Sequence, residues 1–381
     1  MSFNEKIKKF IPIKKFMKNI ILLDSNPPLC DNAYYVYKEL LRRNINNKYK
    51  IIWIVEKNKD LRKSKEKNVF FVSKEQVWKY RYYHNFSRYI LDCNPFIRKL
   101  NKYQFRIYLS HGCPVKILDK LFRNSGAIDY ITTTAEFWSN VRKNTYKGTN
   151  LVKNFVETGF PRDDLFFDKN QWISLFPDIE REKTILWLPT YRNHTIKRNY
   201  EQYTGIHFPL GIPCFESIEQ VKQLNNFLAS KKVLLVIKPH PAQDVSEIKS
   251  IDLSNLKIIY DTYFEEGTTL YNYLPALDAL ITDYSSVYWD FLLADKPIGL
   301  AIPDFNDYTE HVKMPYDYEH EVIGERILDY DGLVMFIENI SSNKDILKYE
   351  RNRNIDKYHK YRDGNSAKRV VDILEKEMNK R

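Results

Sequence analysis

Short apolar runs alternate with helix-length stretches along most of this chain, and that alternation restricts the fold more than any other feature. Runs at 20–23, 51–55, 69–72, 89–91, 106–109 and 128–132 are unbroken and rich in Ile, Val, Leu and aromatic residues. Such runs suit strands buried on both faces. The stretches 31–43 and 74–83 lie between them with helical spacing. A second series of runs follows at 184–188, 233–237, 257–260, 279–282 and 298–301. Strand–helix alternation gives parallel sheets with helices on both faces. Two series therefore predict two doubly wound α/β domains. The seam is expected within 160–178, rich in Pro, Asp and Phe, which divides the chain into domains at 20–165 and 166–381. Helical spacing returns at 367–377 after an Asp363-Gly364 turn, and this last helix is free to cross back to the first domain.

Composition bounds the reading. The chain has 381 residues, 43% of them apolar, which at roughly 100–200 residues per domain suffices for two buried cores. A net charge of +11 favours acidic partners: nucleic acid, a nucleotide-bearing substrate or an anionic membrane surface. Lys, Asn, Ile and Tyr are all abundant, so an AT-rich genome accounts for part of that basicity. Beyond charge, nothing points to nucleic acid: there is no RRM signature, no zinc finger and no aromatic platform interleaved with basic residues. The cysteines Cys30, Cys93, Cys113 and Cys214 are far apart, without metal or disulfide spacing, as expected in a reducing cytoplasm. No stretch approaches the ~20 apolar residues of a membrane-spanning helix, and no secretory signal is expected.

Residues 1–19 form a basic amphipathic segment. Phe3, Ile7, Phe10 and Ile11 share one arc of a helical wheel before Pro12; Ile13, Phe16, Met17 and Ile20 share a second arc after it. Six lysines flank these faces, which suits the interface of an anionic leaflet. The competing reading is a helix packed on the protein's own body.

In open parallel sheets, ligands bind at the carboxyl ends of strands, so two facing domains are expected to offer one cleft. The polar residues just after strands are the candidates. Ser110-His111-Gly112-Cys113-Pro114 follows the run 106–109, presenting an imidazole that can take a proton from a hydroxyl. Lys238-Pro239-His240-Pro241 ends the run 233–237, fixing a cation and an imidazole on one side of an extended chain. Ser285 and Ser286 follow the Thr282-Asp283 strand end and open an expected helix at 287–293, where backbone N–H groups attract an anion. Leu188-Pro189-Thr190-Tyr191-Arg192 ends the first run of the second series, and Arg192 suits bidentate phosphate binding. Asp329-Tyr330-Asp331 precedes a helical stretch and is expected to cap it rather than to hold a metal. A P-loop and a G-x-G-x-x-G are both missing, which leaves an NTPase or a dinucleotide oxidoreductase without support.

These residues stand in an order that resembles the CDP-glycerol glycerophosphotransferase family, which primes and polymerises wall teichoic acids and related glycerol-phosphate capsules. Residues 110–114 resemble its W-H-G-T-P, and Gly159-Phe160-Pro161-Arg162-Asp163-Asp164 is similar to its G-Y-P-R-N-D. Residues 188–192 resemble A-P-T-W-R, and 238–241 resemble K-x-H-P. Residues 278–291 are close to D-x-L-I-T-D-Y-S-S-x-x-x-D-F, with Lys296-Pro297-Ile298 continuing that block, and Asp363-Gly364 with Arg369 resembles the C-terminal D-G…R. The resemblance implies a GT-B-like architecture with an N-terminal acceptor domain, a C-terminal donor domain and peripheral attachment to the inner face of the cell membrane. It places the family's essential histidines at His111 and His240.

Two departures stand out. Ser110 and Cys113 replace Trp and Thr around the first histidine. The Arg-Gly usually found before the Asp317-Tyr318-Glu319 segment is missing, which leaves Lys313 to take the place of that arginine, or the donor to differ.

The expected reaction is transfer of glycerol phosphate from CDP-glycerol to a hydroxyl of a lipid-linked, oligosaccharide or capsular acceptor, with release of CMP. His111 is the expected general base. Lys238, His240, Thr190, Arg192, Asp283, Ser285, Ser286 and Lys313 are expected on the donor diphosphate and nucleotide. Phosphoryl transfer needs mainly positioning and positive charge; no cofactor is called, and a Mg²⁺ requirement is left open. The alternatives are transfer from CDP-ribitol or another CDP-polyol, and a GT-B glycosyltransferase using a nucleotide sugar, since fold does not fix function.

Overall fold

The computed structural model describes residues 13–94, 97–117, 126–191, 208–240, 243–265 and 267–380. It divides into two compact units. The first holds the described residues up to His111, those from 126 to Asp164, and 365–380; the second holds 112–117 and Leu165–Gly364. The final helix, Ser366–Met378, thus belongs to the first unit.

The first unit is built on seven parallel strands: β1 (Lys18–Asp24), β2 (Lys50–Val55), β3 (Val69–Ser73), β4 (Ser87–Asp92), β5 (Phe105–Tyr108), β6 (Ile128–Thr133) and β7 (Val152–Glu157). They are ordered β3-β2-β1-β4-β5-β6-β7. The second unit has β8 (Lys183–Trp187), β9 (Val233–Ile237), β10 (Leu256–Ile258), β11 (Ala279–Thr282), β12 (Ile298–Ala301) and β13 (Glu325–Ile327), ordered β10-β9-β8-β11-β12-β13 and again all parallel. Each sheet therefore reverses its winding once, between β1 and β4 in the first and between β8 and β11 in the second. Those are the switch points at which such sheets bind ligands. The expected class, two doubly wound parallel sheets, is what the chain forms.

Alternation along the strands makes two cores in the first unit. Ile21, Leu23, Trp53, Val55 and Leu91 pack against Val36 and Leu40 of the Asp31–Arg42 helix and Val370, Val371 and Leu374 of the final helix. Ile20, Leu22, Ile52, Ile54, Val72 and Ile90 line the opposite face, under Tyr80 and Tyr83 of the Val77–Phe86 helix. In the second unit Ile185, Trp187, Leu235 and Ile237 pack against Val221, Leu224 and Leu228 of the Ile218–Ser230 helix.

The final helix is locked in by charge as well. Arg43 Nη1 donates to Asp372 (2.7 Å) and Glu375 (2.5 Å), and the Asp164 carboxylate accepts from the Ser366 and Ala367 N–H groups at 2.7 and 2.9 Å. Burial nonetheless pushes the Asp164 carboxyl up to about 6.

The amino-terminal segment differs from its expected form. Residues 1–12 lie outside the described residues. Beyond them only Ile13–Phe16 is helical, and the chain enters β1 at Lys18. Met17 and Ile20, expected on a membrane-facing stripe, are buried in the protein, whereas Phe16 is about half exposed (47%). Strand pairing decided this, because Ile20 continues the apolar row of β1.

Candidate active site

In the first unit, His111 stands just beyond β5. Ser110, buried and in the left-handed region (φ 61°), turns the chain out of the sheet, and its hydroxyl donates to the Thr132 carbonyl at 3.0 Å. Asn32 braces the same turn, donating to the carbonyls of Leu109 (3.1 Å) and Ser110 (2.9 Å). The His111 side chain is 62% exposed, yet its Nδ1 is bonded to the carboxylate of Asp31, which is 4% exposed. The other Asp31 oxygen accepts from Arg162 Nη1 at 2.8 Å, and the same nitrogen donates to the His111 carbonyl at 3.2 Å. Burial opposes ionisation of Asp31, but the neighbouring His111 and Arg162 outweigh it and hold the carboxyl well below the usual carboxylate range.

An ionised carboxylate on Nδ1 makes that nitrogen the donor and Nε2 the basic one. Asp31 also lies in the left-handed region (φ 57°), at a cost of about 1–3 kcal/mol for a non-glycine residue. Sequence reading took it only as a helix start. Its partner lies far away in the chain, and no local pattern carries that pairing.

The Gly159–Asp164 motif acquires physical meaning here. Gly159 has φ 77°, and a Cβ there would collide with Ser366. Phe160 is buried, Arg162 supports Asp31 and Asp164 holds the start of the final helix. Nearby, at the switch point, Asp24 and Asp92 end paired strands β1 and β4. Asp92 takes Arg106 in a fully buried two-bond pair (2.9 and 2.6 Å). Among the described residues Asp24 has no such partner. Burial pushes its carboxyl up to about 7, with Lys74 opposing and Asp92 adding to the rise.

The second unit gathers loops from three adjacent strands, β9, β8 and β11. Asp283, buried, accepts from Thr190 N at 2.8 Å and from the Thr190 hydroxyl, and also from Tyr284 N at 2.6 Å. Asp283 and Thr190 thus clamp the β8 and β11 loops to each other. Tyr191 lies over His240, ring centroids 5.2 Å apart, which brings the β9 loop to the same place. Ser285 Oγ accepts from Val287 N at 3.4 Å, and Ser286 stands at the helix N-cap without a side-chain capping bond. That helix is shorter than expected: Val287–Phe291 is α-helical, and Leu292–Ala294 forms a 3₁₀ turn.

Two of the residues expected on the donor have partners of their own, and a third is not described. The Lys238 ammonium pairs with Asp261 at 2.8 Å, a partner that is 63% exposed and offsets part of its charge. Lys313 is exposed, and its carbonyl accepts from Ile117 N at 3.1 Å. Arg192 lies outside the described residues. Asp329 accepts from Gly332 N at 2.8 Å as a helix cap, and among the described residues no cluster of His, Cys, Asp and Glu is placed to hold a metal ion.

The sequence model of the family described as CDP-Glycerol:Poly(glycerophosphate) glycerophosphotransferase matches residues 7–376. The chain belongs to that family. Among its relatives, the teichoic acid ribitol-phosphate polymerase TarL of Staphylococcus aureus is 25% identical over 95% of this chain and 63% of its own length. The teichoic acid glycerol-phosphate primase of Bacillus subtilis is 27% identical over 65% of this chain and 57% of its own. The chain thus spans less than two thirds of either relative. A solved structure of the wall teichoic acid polymerase TagF superposes with a TM-score of 0.73 at 15% identity, covering 99% of this chain and 95% of that one. The fold is therefore of the GT-B-like kind. Among the described residues no helix is long and apolar enough to cross a membrane.

Proposed function

We propose that this glycerophosphotransferase family member transfers glycerol phosphate from CDP-glycerol to a hydroxyl of a teichoic-acid-type or capsular acceptor and releases CMP. The observation that carries the reading is the Asp31–His111 pair at the end of β5. The carboxylate fixes the imidazole with Nε2 as its basic nitrogen, as a general base acting on an alcohol requires. In the step proposed, the acceptor O–H gives its proton to His111 Nε2. The acceptor oxygen then bonds to the phosphorus that bears glycerol, and the bond from that phosphorus to the CMP oxygen breaks. The β8, β9 and β11 loops are suited to the donor. His240, Ser285 and Ser286 would meet the diphosphate, with Lys238, Arg192 and Lys313 adding cations. Asp283 and Thr190 would hold the loops in register, leaving developing charge to be met by preorganised donors.

Relatives named for ribitol phosphate as well as glycerol phosphate make CDP-ribitol the second donor to test. The acceptor is proposed to be presented at the inner face of the membrane, with residues 1–16 as the contacting segment. Incubation with CDP-glycerol, CDP-ribitol and UDP-sugars in turn, with and without Mg²⁺, tests the reading. CMP release with an acceptor heavier by one polyol phosphate is expected. Release of UDP with transfer of a sugar would replace it with the glycosyltransferase reading.

A further inference from the structure

The first sheet bears a cavity at the end away from His111. At the amino ends of β1 and β2, opposite to the His111 end, an open cavity of about 340 Å³ is lined by Lys18, Lys48, Lys50, Tyr49, Tyr82 and Tyr83 among others, and no carboxylate of the described residues lines it. Its origin is visible in the strand register. Ile20 pairs with Lys50 and Leu22 with Ile52, so these side chains share the face that the Val77–Phe86 helix covers. Towards the strand starts the side chains turn basic: Lys18 on β1, where the pairing with β4 is irregular, and Lys50 on β2 with Lys48 in the turn before it.

Among the described residues none of these three lysines forms a salt bridge. Lys18 lies 5.2 Å from the Tyr82 ring centroid and Lys50 lies 5.9 Å from that of Phe70. Lysine stems can be buried simply to cover apolar surface. Beyond that role, three exposed ammonium groups converge on one cavity with no counter-charge among the described residues, which makes the cavity electropositive. An anion of matching size meets that potential. The volume lies at the small end of the usual range for ligand sites. Tyr82, 41% exposed, and Trp78, 82% exposed on the same helix, give its surroundings an aromatic character.

We propose that this cavity binds a phosphate ester, with Lys18, Lys48 and Lys50 on the phosphate and the tyrosines against its organic part. The same chemistry is offered by a free polyol phosphate and by a phospholipid headgroup. The assignment does not depend on the transfer reaction, because it uses none of the residues proposed for it.

The test uses the full chain and the double variant Lys48→Ala/Lys50→Ala, both positions being exposed at a strand start. One arm titrates sn-glycerol 3-phosphate by calorimetry into His111→Ala and His240→Ala backgrounds as well, to separate this cavity from the transfer site. The other arm measures co-flotation with vesicles of phosphatidylcholine containing phosphatidylglycerol. A basic residue near an anionic surface contributes about fivefold, so a loss of roughly twentyfold is expected in at least one arm. Loss in the calorimetric arm identifies a free phosphate ester; loss in flotation alone identifies the headgroup. Lys222→Ala/Lys376→Ala, which removes two exposed lysines elsewhere, serves as the charge control. Equal losses in the two double variants, unchanged binding in both arms, or no binding by the parent protein would each overturn the proposal, whatever the turnover assay with CDP-glycerol shows.

Discussion

The two sheets are wound alike, yet the polar groups at their carboxyl ends are of different kinds. In the first unit that end is assembled from charge: Asp31 between His111 and Arg162, Asp92 paired with Arg106, and Asp24 buried beside them. In the second unit hydroxyls, backbone N–H groups and rings are set around the Asp283 carboxylate, with the Lys238–Asp261 ion pair at the end of β9. Thr190 is clamped to Asp283, Tyr191 lies over His240, and Tyr284 stacks on Tyr308 with centroids 3.7 Å apart. A group that must accept a proton along one direction needs a fixed, charged partner. A surface that receives a bulky anion works better with donors that carry no counter-charge of their own. The difference in filling matches the division of labour proposed above.

Removing the imidazole breaks the comparison most severely. His111→Ala is expected to lower transfer by 10²–10⁴-fold, the usual contribution of a general base, while CDP-glycerol still binds. Equilibrium dialysis with labelled donor checks this; loss of donor binding in a folded protein would move His111 to the donor side.

Asp31 comes next. Asp31→Ala takes from Arg162, itself 4% exposed, its 2.8 Å carboxylate partner and leaves Asp163 at 3.9 Å, so a stability loss of about 3 kcal/mol, the low end for a broken buried pair, is expected in urea. Asp31→Asn keeps the shape, and a fall in kcat of about 10²-fold at unchanged KM is expected from a misheld imidazole. A variant with normal kcat would make the pair structural only.

The buried carboxyls also give the first unit a pH signature. Asp31, held low, contributes stability that is present above its unfolded value near 4 and is lost as pH falls further. Asp24 has the opposite sign. With its carboxyl raised to about 7, the folded chain keeps a proton that the unfolded chain has released, so stability declines as pH rises from about 4 to 7. The decline is of the order of 3–4 kcal/mol, and Asp24→Asn should flatten it in urea titrations at pH 4, 5.5 and 7. An unchanged slope would show that Asp24 ionises normally.

The smallest effects belong to the second unit. His240→Ala and a Ser285→Ala/Ser286→Ala double variant should each weaken CMP binding about tenfold, near the worth of one charge-assisted hydrogen bond. Groups acting on one anion are not independent, so the combined variant should lose less than the sum of the separate losses in log units. Full additivity would assign the two motifs to different ligands.

Much of this was legible in the sequence because buried parallel strands announce themselves as unbroken apolar runs. The two strands that escaped are sheet edges. β7 reads Val-Lys-Asn-Phe-Val-Glu, with Lys153 and Asn154 exposed, and β13 is only Glu325-Arg326-Ile327. Neither needs continuous apolarity, since one side of an edge meets solvent. The histidine loops were visible because Gly and Pro mark a chain leaving a strand. Asp31 was not, and Arg162 was visible only as part of a motif, for their roles lie in contacts across long sequence separations, Asp31 with His111 and Arg162 with Asp31. The helical wheel misread Ile20 for a related reason: a short stretch fits two periodicities, and pairing with β2 chose the strand, with Met17 buried just before it.

The return of the final helix to the first unit has a consequence for biosynthesis. Val370, Val371 and Leu374 complete the core that covers Val36 and Leu40, and the Ser366 and Ala367 N–H groups occupy Asp164. A nascent chain carries Leu165–Gly364 between those halves. On the ribosome, the earlier-made unit therefore waits with one apolar face uncovered until the later-made unit has emerged. Folding of the His111 side is thus coupled to synthesis of the Ser366–Met378 helix, and a chain stopped after Gly364 would expose that face to chaperones and proteases rather than yield a free-standing first unit.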